Sequence, residues 1–289
     1  MKCTNRTHHL KIKLLCISCI AALFMNGCGT GKTADIQNPY SLTGDNSSVS
    51  SQFFARNLCV TDDINFGTDQ VHADYAEGAG VFDLTTKEVL YSQNLFEKLY
   101  PASTTKILTC IVAMEQCKPD EVVTFSTKAA SQPKVHLGAK KGEQFYMQDL
   151  WYGLMLESYN DCAYAIAEHV AGSAEKFAAL MNEKAKKIGC TDSHFVTPNG
   201  LDAKDEHGEH HTTAYDLCRI MSYCAWKSPV SKQFLEVTQT RSHTFQSLEG
   251  TGYAVSNKNA LLDMMDHVIT GKTGYTSKAG YCYVAALEE

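Results

Sequence analysis

Two pairs of short apolar runs, far apart in the chain, limit the folds open to this sequence. In the first pair, residues 79–91, the runs are separated by Thr85 and Thr86, which predicts a β-hairpin. A second pair of strands is expected within residues 268–284. Strands that lie at both ends of a long helical stretch predict an α/β fold: a mainly antiparallel sheet covered by helices, with a helical insertion at about 115–235.

Composition excludes several classes of protein. The 289 residues are 44% hydrophobic and 20% charged, which is an ordinary globular mixture rather than a disordered one. Since 26 basic residues face 32 acidic ones, a nucleic-acid binder is not expected. Eight cysteines follow Cys28 without forming a C-x-x-C pair, so a zinc ribbon or thioredoxin motif is not indicated. We expect most of these eight to be free, buried thiols.

The N-terminal segment has the layout of an export signal. Four basic residues precede the apolar run 14–25, and no acidic residue occurs before Asp35. The run is shorter than the roughly 20 residues that cross a bilayer. Gly27 followed by Cys28 resembles a bacterial lipobox, whose cysteine is lipidated and becomes the mature N-terminus. An ordinary cleaved signal and an uncleaved anchor are the alternatives.

The chain therefore divides into three predicted parts. Residues 1–27 are the predicted signal peptide, and residues 28–75 form a lipidated N-terminus and a serine-rich, flexible tether. Residues 76–289 form the folded domain.

A candidate nucleophile follows the first hairpin. Ser103 and Lys106 are three residues apart, after Pro101 and at the start of an apolar-faced helix, so they lie on one helix face. A serine hydroxyl needs a base, and a lysine whose pKa is lowered by burial or by a second cation can serve. Ser-x-x-Lys also occurs at Ser131 and Ser173, but Pro133 opposes a helix at the first, and Ser173 has the position of a helix cap.

Two later motifs strengthen this hypothesis. Ser158 and Asn160 form a Ser-x-Asn motif after an apolar stretch, and Lys272, Thr273 and Gly274 form a Lys-Thr-Gly motif in the last strand pair. The order Ser-x-x-Lys, Ser-x-Asn, Lys-Thr-Gly is typical of penicillin-binding proteins and class A β-lactamases.

With these motifs, the chain resembles the serine-type D-alanyl-D-alanine carboxypeptidases, the low-molecular-weight penicillin-binding proteins of peptidase family S11. The resemblance runs from about residue 76 to the last residue, and it includes residues 195–201 and 212–217 besides the three motifs. It implies a β-lactamase/DD-peptidase-like fold without a cofactor. Family members continue with a further strand and a terminal helix, so we expect the C-terminal end of the domain to be missing.

The resemblance also implies roles for the acylation residues. Ser103 would attack the carbonyl between two terminal D-alanines, and Lys106 would be its base. Ser158 would relay the proton towards the leaving amine, and Asn160 would hydrogen-bond Lys106 or the substrate backbone.

Further roles follow for the Lys-Thr-Gly strand. Lys272 and Thr273 would receive the substrate's terminal carboxylate, and Lys272 would help to lower the pKa of Lys106. Gly274 would let the substrate lie close to the sheet edge, and the backbone N–H groups of Ser103 and Tyr275 would form the oxyanion hole.

Residues 207–211 contain three histidines and invite a zinc interpretation. The H-E-x-x-H motif is absent and the stretch is polar and contains glycine, so a surface loop is expected and no metal site is predicted.

The sequence therefore predicts an exported D,D-carboxypeptidase that trims peptidoglycan pentapeptide stems, is inhibited by β-lactams, and sits on the outer face of the cytoplasmic membrane or in the periplasm. One alternative is a serine β-lactamase, which the lack of a clear Glu-x-x-x-Asn element after Asn160 disfavours. The other is a non-catalytic, membrane-tethered penicillin-binding lipoprotein.

Overall fold

The computed structural model describes residues 65–68 and 73–288. The predicted signal peptide, Cys28 and most of the predicted tether lie outside these residues. The strands are β1 (Ala79–Asp83), β2 (Glu88–Gln93), β3 (Val122–Thr124), β4 (Gln144–Tyr146), β5 (Lys204–Asp205), β6 (Gly208–Glu209), β7 (Ser242–Gln246), β8 (Gly252–Ser256), β9 (Val268–Thr276) and β10 (Gly280–Leu287).

Most of the helices come between the first and the last hairpin in the sequence. They are α1 (Lys106–Gln116), α2 (Thr127–Ala130), α3 (Met147–Tyr152), α4 (Asn160–Ala171), α5 (Ala174–Lys187), α6 (Ala214–Ser222), α7 (Ser231–Gln239) and α8 (Leu261–Met264). A 3-10 turn, Ala102–Thr105, runs directly into α1, and π-helical turns extend α3 over Gly153–Glu157 and α6 over Tyr223–Lys227. Helices α2 to α6 lie within the predicted insertion.

Both predicted hairpins form. Strands β1 and β2 pair antiparallel, and Asp83 Oδ1 shapes their turn by accepting the backbone N–H groups of Thr85 at 2.7 Å and Thr86 at 3.1 Å. A carboxylate that bonds to the backbone two and three residues ahead is a common way to close a turn. Strands β9 and β10 pair antiparallel along nearly their whole length.

The two hairpins are separate two-stranded sheets, although one sheet was expected from them. Helix α6 packs against both β1 and β10. The two hairpins are therefore joined through this helix and not through a hydrogen-bonded ladder. Tyr215 and Cys218 of this helix are buried with Phe82 of β1 and with Leu95. This apolar contact holds the first hairpin to the body of the domain.

Helix α1 lies at the centre of the domain. The sequence predicted one apolar face, but every residue from Lys106 to Met114 is at most 3% exposed. Small side chains such as Cys110 and Ala113 allow neighbouring helices to approach the other faces, and Thr109 satisfies its hydroxyl by donating to the Pro198 carbonyl oxygen at 2.6 Å. The helix that carries Lys106 is therefore fixed on all sides.

The structure also shows the expected helix cap at Ser173 and the state of the cysteines. Ser173 caps α5, because its hydroxyl accepts the Lys176 backbone N–H at 3.2 Å. The cysteines that the structure describes have free thiols, four of them buried and three partly exposed: Cys110, Cys162, Cys218 and Cys224, then Cys117, Cys190 and Cys282.

Candidate active site

The turn that carries Ser103 differs from the predicted helix start. Pro101 precedes a 3-10 turn, and the α-helix itself begins only at Lys106. Ala102 is fully buried with a φ of 48°, in the left-handed region that side chains other than glycine rarely adopt. Such a conformation persists where the surroundings dictate it, and here it occurs directly before Ser103.

Lys106 is completely buried among three oxygen atoms. Its Nζ lies 2.9 Å from Ser103 Oγ, 2.9 Å from Asn160 Oδ1 and 2.6 Å from the Asn199 carbonyl oxygen. Burial lowers the pKa of Lys106 well below its usual value, and the charge of Lys272 lowers it further. The structure thus favours the neutral amine that a general base must be.

The three oxygens suit that neutral amine. A neutral amine has two N–H groups and one lone pair, while the Asn160 and Asn199 oxygens belong to carbonyl groups and can only accept. When Lys106 is neutral, it donates to both carbonyls, and its lone pair receives the hydroxyl hydrogen of Ser103. In that state, the proton that must leave the nucleophile points at the base.

Ser158 and Asn160 come from the junction between α3 and α4. Ser158 ends the π-helical turn with a φ of 69°, and Asn160 is the first residue of α4. The Asn160 Nδ2 donates to the Pro133 carbonyl oxygen at 3.1 Å, which orients its Oδ1 towards Lys106. The neighbouring Asp161 accepts two backbone N–H groups from residues 137 and 138, so the loop above the site is tied to α4.

Lys272 is the second buried cation of the site. It is 2% exposed in the middle of β9, and its Nζ donates to Ser158 Oγ at 3.0 Å and to the Thr273 carbonyl oxygen at 2.8 Å. Burial, and then the charge of Lys258, lower the pKa of Lys272 to about 7. A cation that lacks an acidic partner in these contacts is suited to receive an anionic group from a ligand.

Strand β9 passes directly behind the nucleophile. A Cβ on Gly274 would lie 2.9 Å from the Ser103 nitrogen and 3.1 Å from the Thr104 nitrogen, so the strand can approach this closely only with glycine. Thr273 is partly buried, and the Tyr275 side chain is 58% exposed. The structure thus brings together Ser103, Lys106, Asn160, Ser158, Lys272 and Gly274; the carboxylate contact of Thr273 and the oxyanion role of Tyr275 stay predictions.

Sequence reasoning missed the contribution of residues 199 and 200. Asn199 binds Lys106 through its backbone carbonyl, and Gly200 has a φ of 81° with a Cβ position that would overlap the Ala102 carbonyl oxygen. The sequence signal was Pro198-Asn199-Gly200, which is typical of a turn. This segment was part of the family resemblance, but no function was assigned to it.

His210 also supports the site from beneath. It is 1% exposed, its Nδ1 accepts the Val196 N–H at 2.9 Å, and its Nε2 therefore carries the proton and donates to Thr105 Oγ1 at 2.9 Å. Burial lowers its pKa to about 3. His210 is a neutral structural residue. It joins the 3-10 turn Ala102–Thr105, which carries Ser103 and is called the nucleophile turn below, to the loop of residues 195–201.

Comparisons with known proteins identify the family of the chain. Residues 66–289 match the family model of the D-alanyl-D-alanine carboxypeptidases, peptidase family S11. The chain is 32% identical over 222 residues to the D-alanyl-D-alanine carboxypeptidase DacF of Bacillus subtilis, covering 75% of this chain and 55% of that protein. It spans 62% and 53% of the length of two further curated relatives, both named D-alanyl-D-alanine carboxypeptidase DacD.

Solved structures give the same result. A D-alanyl-D-alanine carboxypeptidase from Mycobacterium tuberculosis superposes with a TM-score of 0.67 at 32% identity, over 74% of this chain and 78% of that one. A DD-transpeptidase from Streptomyces superposes with a TM-score of 0.66 at 28% identity, over 74% of this chain and 85% of that one. The chain belongs to the D-alanyl-D-alanine carboxypeptidase family, peptidase family S11, and has the α/β fold of the DD-peptidases.

Proposed function

We propose that this chain is a serine D,D-carboxypeptidase that removes the terminal D-alanine from peptidoglycan pentapeptide stems through an acyl-enzyme on Ser103. The observation that carries the proposal is the contact of Lys106 Nζ with Ser103 Oγ at 2.9 Å, in a fully buried setting that lowers the pKa of the amine and so favours its neutral form. A buried base within hydrogen-bond reach of a serine hydroxyl is the arrangement that nucleophilic catalysis requires.

Acylation begins when Lys106 takes the Ser103 proton. Ser103 Oγ forms a bond to the carbonyl carbon of the D-Ala-D-Ala peptide, and the C–N bond breaks. The proton passes from Lys106 by way of Ser158 to the departing amine, so free D-alanine leaves as an amino acid. Water then attacks the ester as Lys106 takes its proton, the bond between the acyl carbon and Ser103 Oγ breaks, and Lys106 returns the proton to Ser103 Oγ as the shortened stem leaves.

Substrate recognition is assigned to β9. The ammonium group of Lys272 pairs with the terminal carboxylate, and the Thr273 hydroxyl completes that contact. The substrate carbonyl oxygen lies between the backbone N–H groups of Ser103 and Tyr275, where negative charge develops. The absence of a side chain at Gly274 supports this assignment, since a bulky residue there would separate the strand from the nucleophile.

Labelling with a fluorescent penicillin, followed by D-alanine release from a pentapeptide, tests the proposal. Wild-type protein is expected to be labelled at Ser103 and to release D-alanine, and Ser103→Ala to do neither. Ser131→Ala is the matched control, because this exposed serine also begins a Ser-x-x-Lys motif. Rapid loss of the label without D-alanine release would indicate a β-lactamase, and folded wild-type protein without label would indicate a non-catalytic lipoprotein.

We further propose that the protein is exported and lipidated at Cys28, on the strength of the basic, apolar and Gly-Cys pattern of residues 1–28. Within the described residues, none of the helices is both long and apolar enough to traverse a bilayer. Metabolic labelling with an alkyne fatty acid is expected to mark the wild-type protein and to fail with Cys28→Ala. Equal labelling of both would refute the lipid anchor.

A further inference from the structure

Three side chains that can bind metals meet at the end of the domain away from the nucleophile. Cys117 follows the last residue of α1, Glu121 lies four residues later, and His169 belongs to the last turn of α4. One ligand atom from each, Cys117 Sγ, a Glu121 carboxylate oxygen and a His169 ring nitrogen, lies within 4.8 Å of the other two. We propose that these three residues form a zinc-binding site.

The carboxylate is already oriented for this role. Glu121 Oε1 accepts the Lys118 backbone N–H at 2.7 Å, and this bond turns Oε2 towards His169 Nε2, 2.9 Å away. The Cys117 thiol hydrogen-bonds to the same carboxylate. The Lys118 bond comes from outside the three proposed ligands, and hydrogen bonds that fix a ligand in this way are a regular feature of metal sites.

The ligand set selects the metal. One thiolate, one imidazole and one carboxylate are the three donor types that zinc accepts, at about 2.3, 2.0 and 2.1 Å. Ligand atoms at these distances in a tetrahedron are separated by about 3.3 to 3.6 Å. The contact between Glu121 and His169 is slightly shorter, at 2.9 Å, and Cys117 Sγ lies within 4.8 Å of both, so small side-chain movements bring all three to these separations. The side chains of His169 and Glu121 are 26% and 36% exposed, which leaves the fourth position open to water.

The location separates this site from the peptidase chemistry. Lys106 and Asn160 are the first residues of α1 and α4, and the three ligands lie at the opposite ends of these packed helices. Helices of 11 and 12 residues separate the two regions by about 16 to 18 Å. Zinc here would clamp α1 to α4 without touching the substrate, so it would stabilise the frame that holds the base and its amide partner.

Cobalt titration of the full reduced chain, after treatment with a chelator, tests the site directly. Co²⁺ is expected to give a sulfur-to-cobalt charge-transfer band and tetrahedral d–d absorption, and Zn²⁺ is expected to bleach both. Cys117→Ser should abolish the charge-transfer band. His169→Gln, a change of an exposed side chain that leaves the fold intact, should weaken Co²⁺ affinity by about tenfold or more.

Cys282→Ser is the matched control, because Cys282 is also a half-buried thiol but bonds to the Tyr100 carbonyl oxygen, 3.5 Å away. Its cobalt spectrum should equal that of the wild type. Zn²⁺ should raise the unfolding temperature of wild-type protein by several degrees and leave that of His169→Gln unchanged. Absence of the charge-transfer band in wild-type protein, its persistence in Cys117→Ser, or unaltered affinity in His169→Gln would overturn the proposal. None of these outcomes depends on the proposed peptidase activity.

Discussion

Lys272 donates to Ser158 across 3.0 Å, so the buried cation of β9 and the hydroxyl after the π-helical turn form one unit. This contact links the group assigned to the substrate carboxylate with the group assigned to proton relay. A substrate that binds Lys272 would therefore meet the relay serine at the same place.

The pH dependence of catalysis should follow Lys272. Its pKa is about 7, so the ammonium form that pairs with a carboxylate prevails below pH 7 and disappears above it. We expect kcat/KM to fall about tenfold per pH unit on the alkaline side, since this ratio reports the free enzyme. Lys258→Gln removes a nearby positive charge and should move the alkaline limb to higher pH. A flat kcat/KM profile between pH 7 and 9 would contradict the assignment.

Lys106→Arg should greatly slow acylation, although it keeps a long basic side chain at this position. A guanidinium group stays protonated at every relevant pH, so it cannot accept the Ser103 proton. We expect the rate of β-lactam acylation, measured by stopped-flow fluorescence, to fall roughly 10²- to 10⁴-fold. Lys176→Arg, at the exposed lysine of another Ser-x-x-Lys motif, should acylate at the wild-type rate. Comparable rates in the two variants would remove Lys106 from the role of base.

Gly274→Ala should impair both stability and acylation. The new methyl group would press on the Ser103 and Thr104 nitrogens, at 2.9 and 3.1 Å, and push β9 away from the nucleophile. We expect the free energy of unfolding in urea to fall by about 1 to 3 kcal/mol, together with a large loss of penicillin labelling. Gly252→Ala is the control, since a Cβ there has no neighbour within 4 Å. Full labelling of Gly274→Ala would show that the strand can retreat without cost.

Stability in acid should depend on His210. Its pKa is 6.5 in the unfolded chain and about 3 in the fold, so the unfolded state binds the extra proton between these values. Its contribution to stability is therefore complete above pH 6.5 and is lost as the pH falls, by up to about 1.4 kcal/mol per unit. His210→Asn should reduce that slope in urea denaturation series from pH 7 to 4. The exposed His207→Asn should keep it, and equal slopes in wild type and His210→Asn would refute the prediction.

Side-chain chemistry and periodicity carried most of what could be predicted. The two short apolar runs within residues 79–91 predicted the first hairpin, and the three spaced motifs located Ser103, Lys106, Ser158, Asn160 and Lys272. The motif residues can be identified from sequence because each of them acts through its own side chain, so the residue type itself indicates the chemistry.

Features that depend on backbone atoms or on distant partners escaped prediction. Asn199 acts through a carbonyl that every residue possesses, so its contact with Lys106 leaves no mark in the sequence. Ala102 has a left-handed φ that surrounding segments dictate, and no propensity of alanine reveals it. His169 lies 48 residues from Glu121, and only the packing of α1 against α4 brings them together.

The nucleophile turn is held between two glycines from different segments, Gly200 and Gly274, each against backbone atoms of residues 102–105. Main-chain atoms cannot be repacked by choosing other side chains. For an engineer who randomises this pocket to change leaving-group preference, both positions must stay glycine in every library. Tyr275 is the position of β9 where substitution should disturb the fold least. Its side chain is 58% exposed, and its assigned role uses only the backbone N–H.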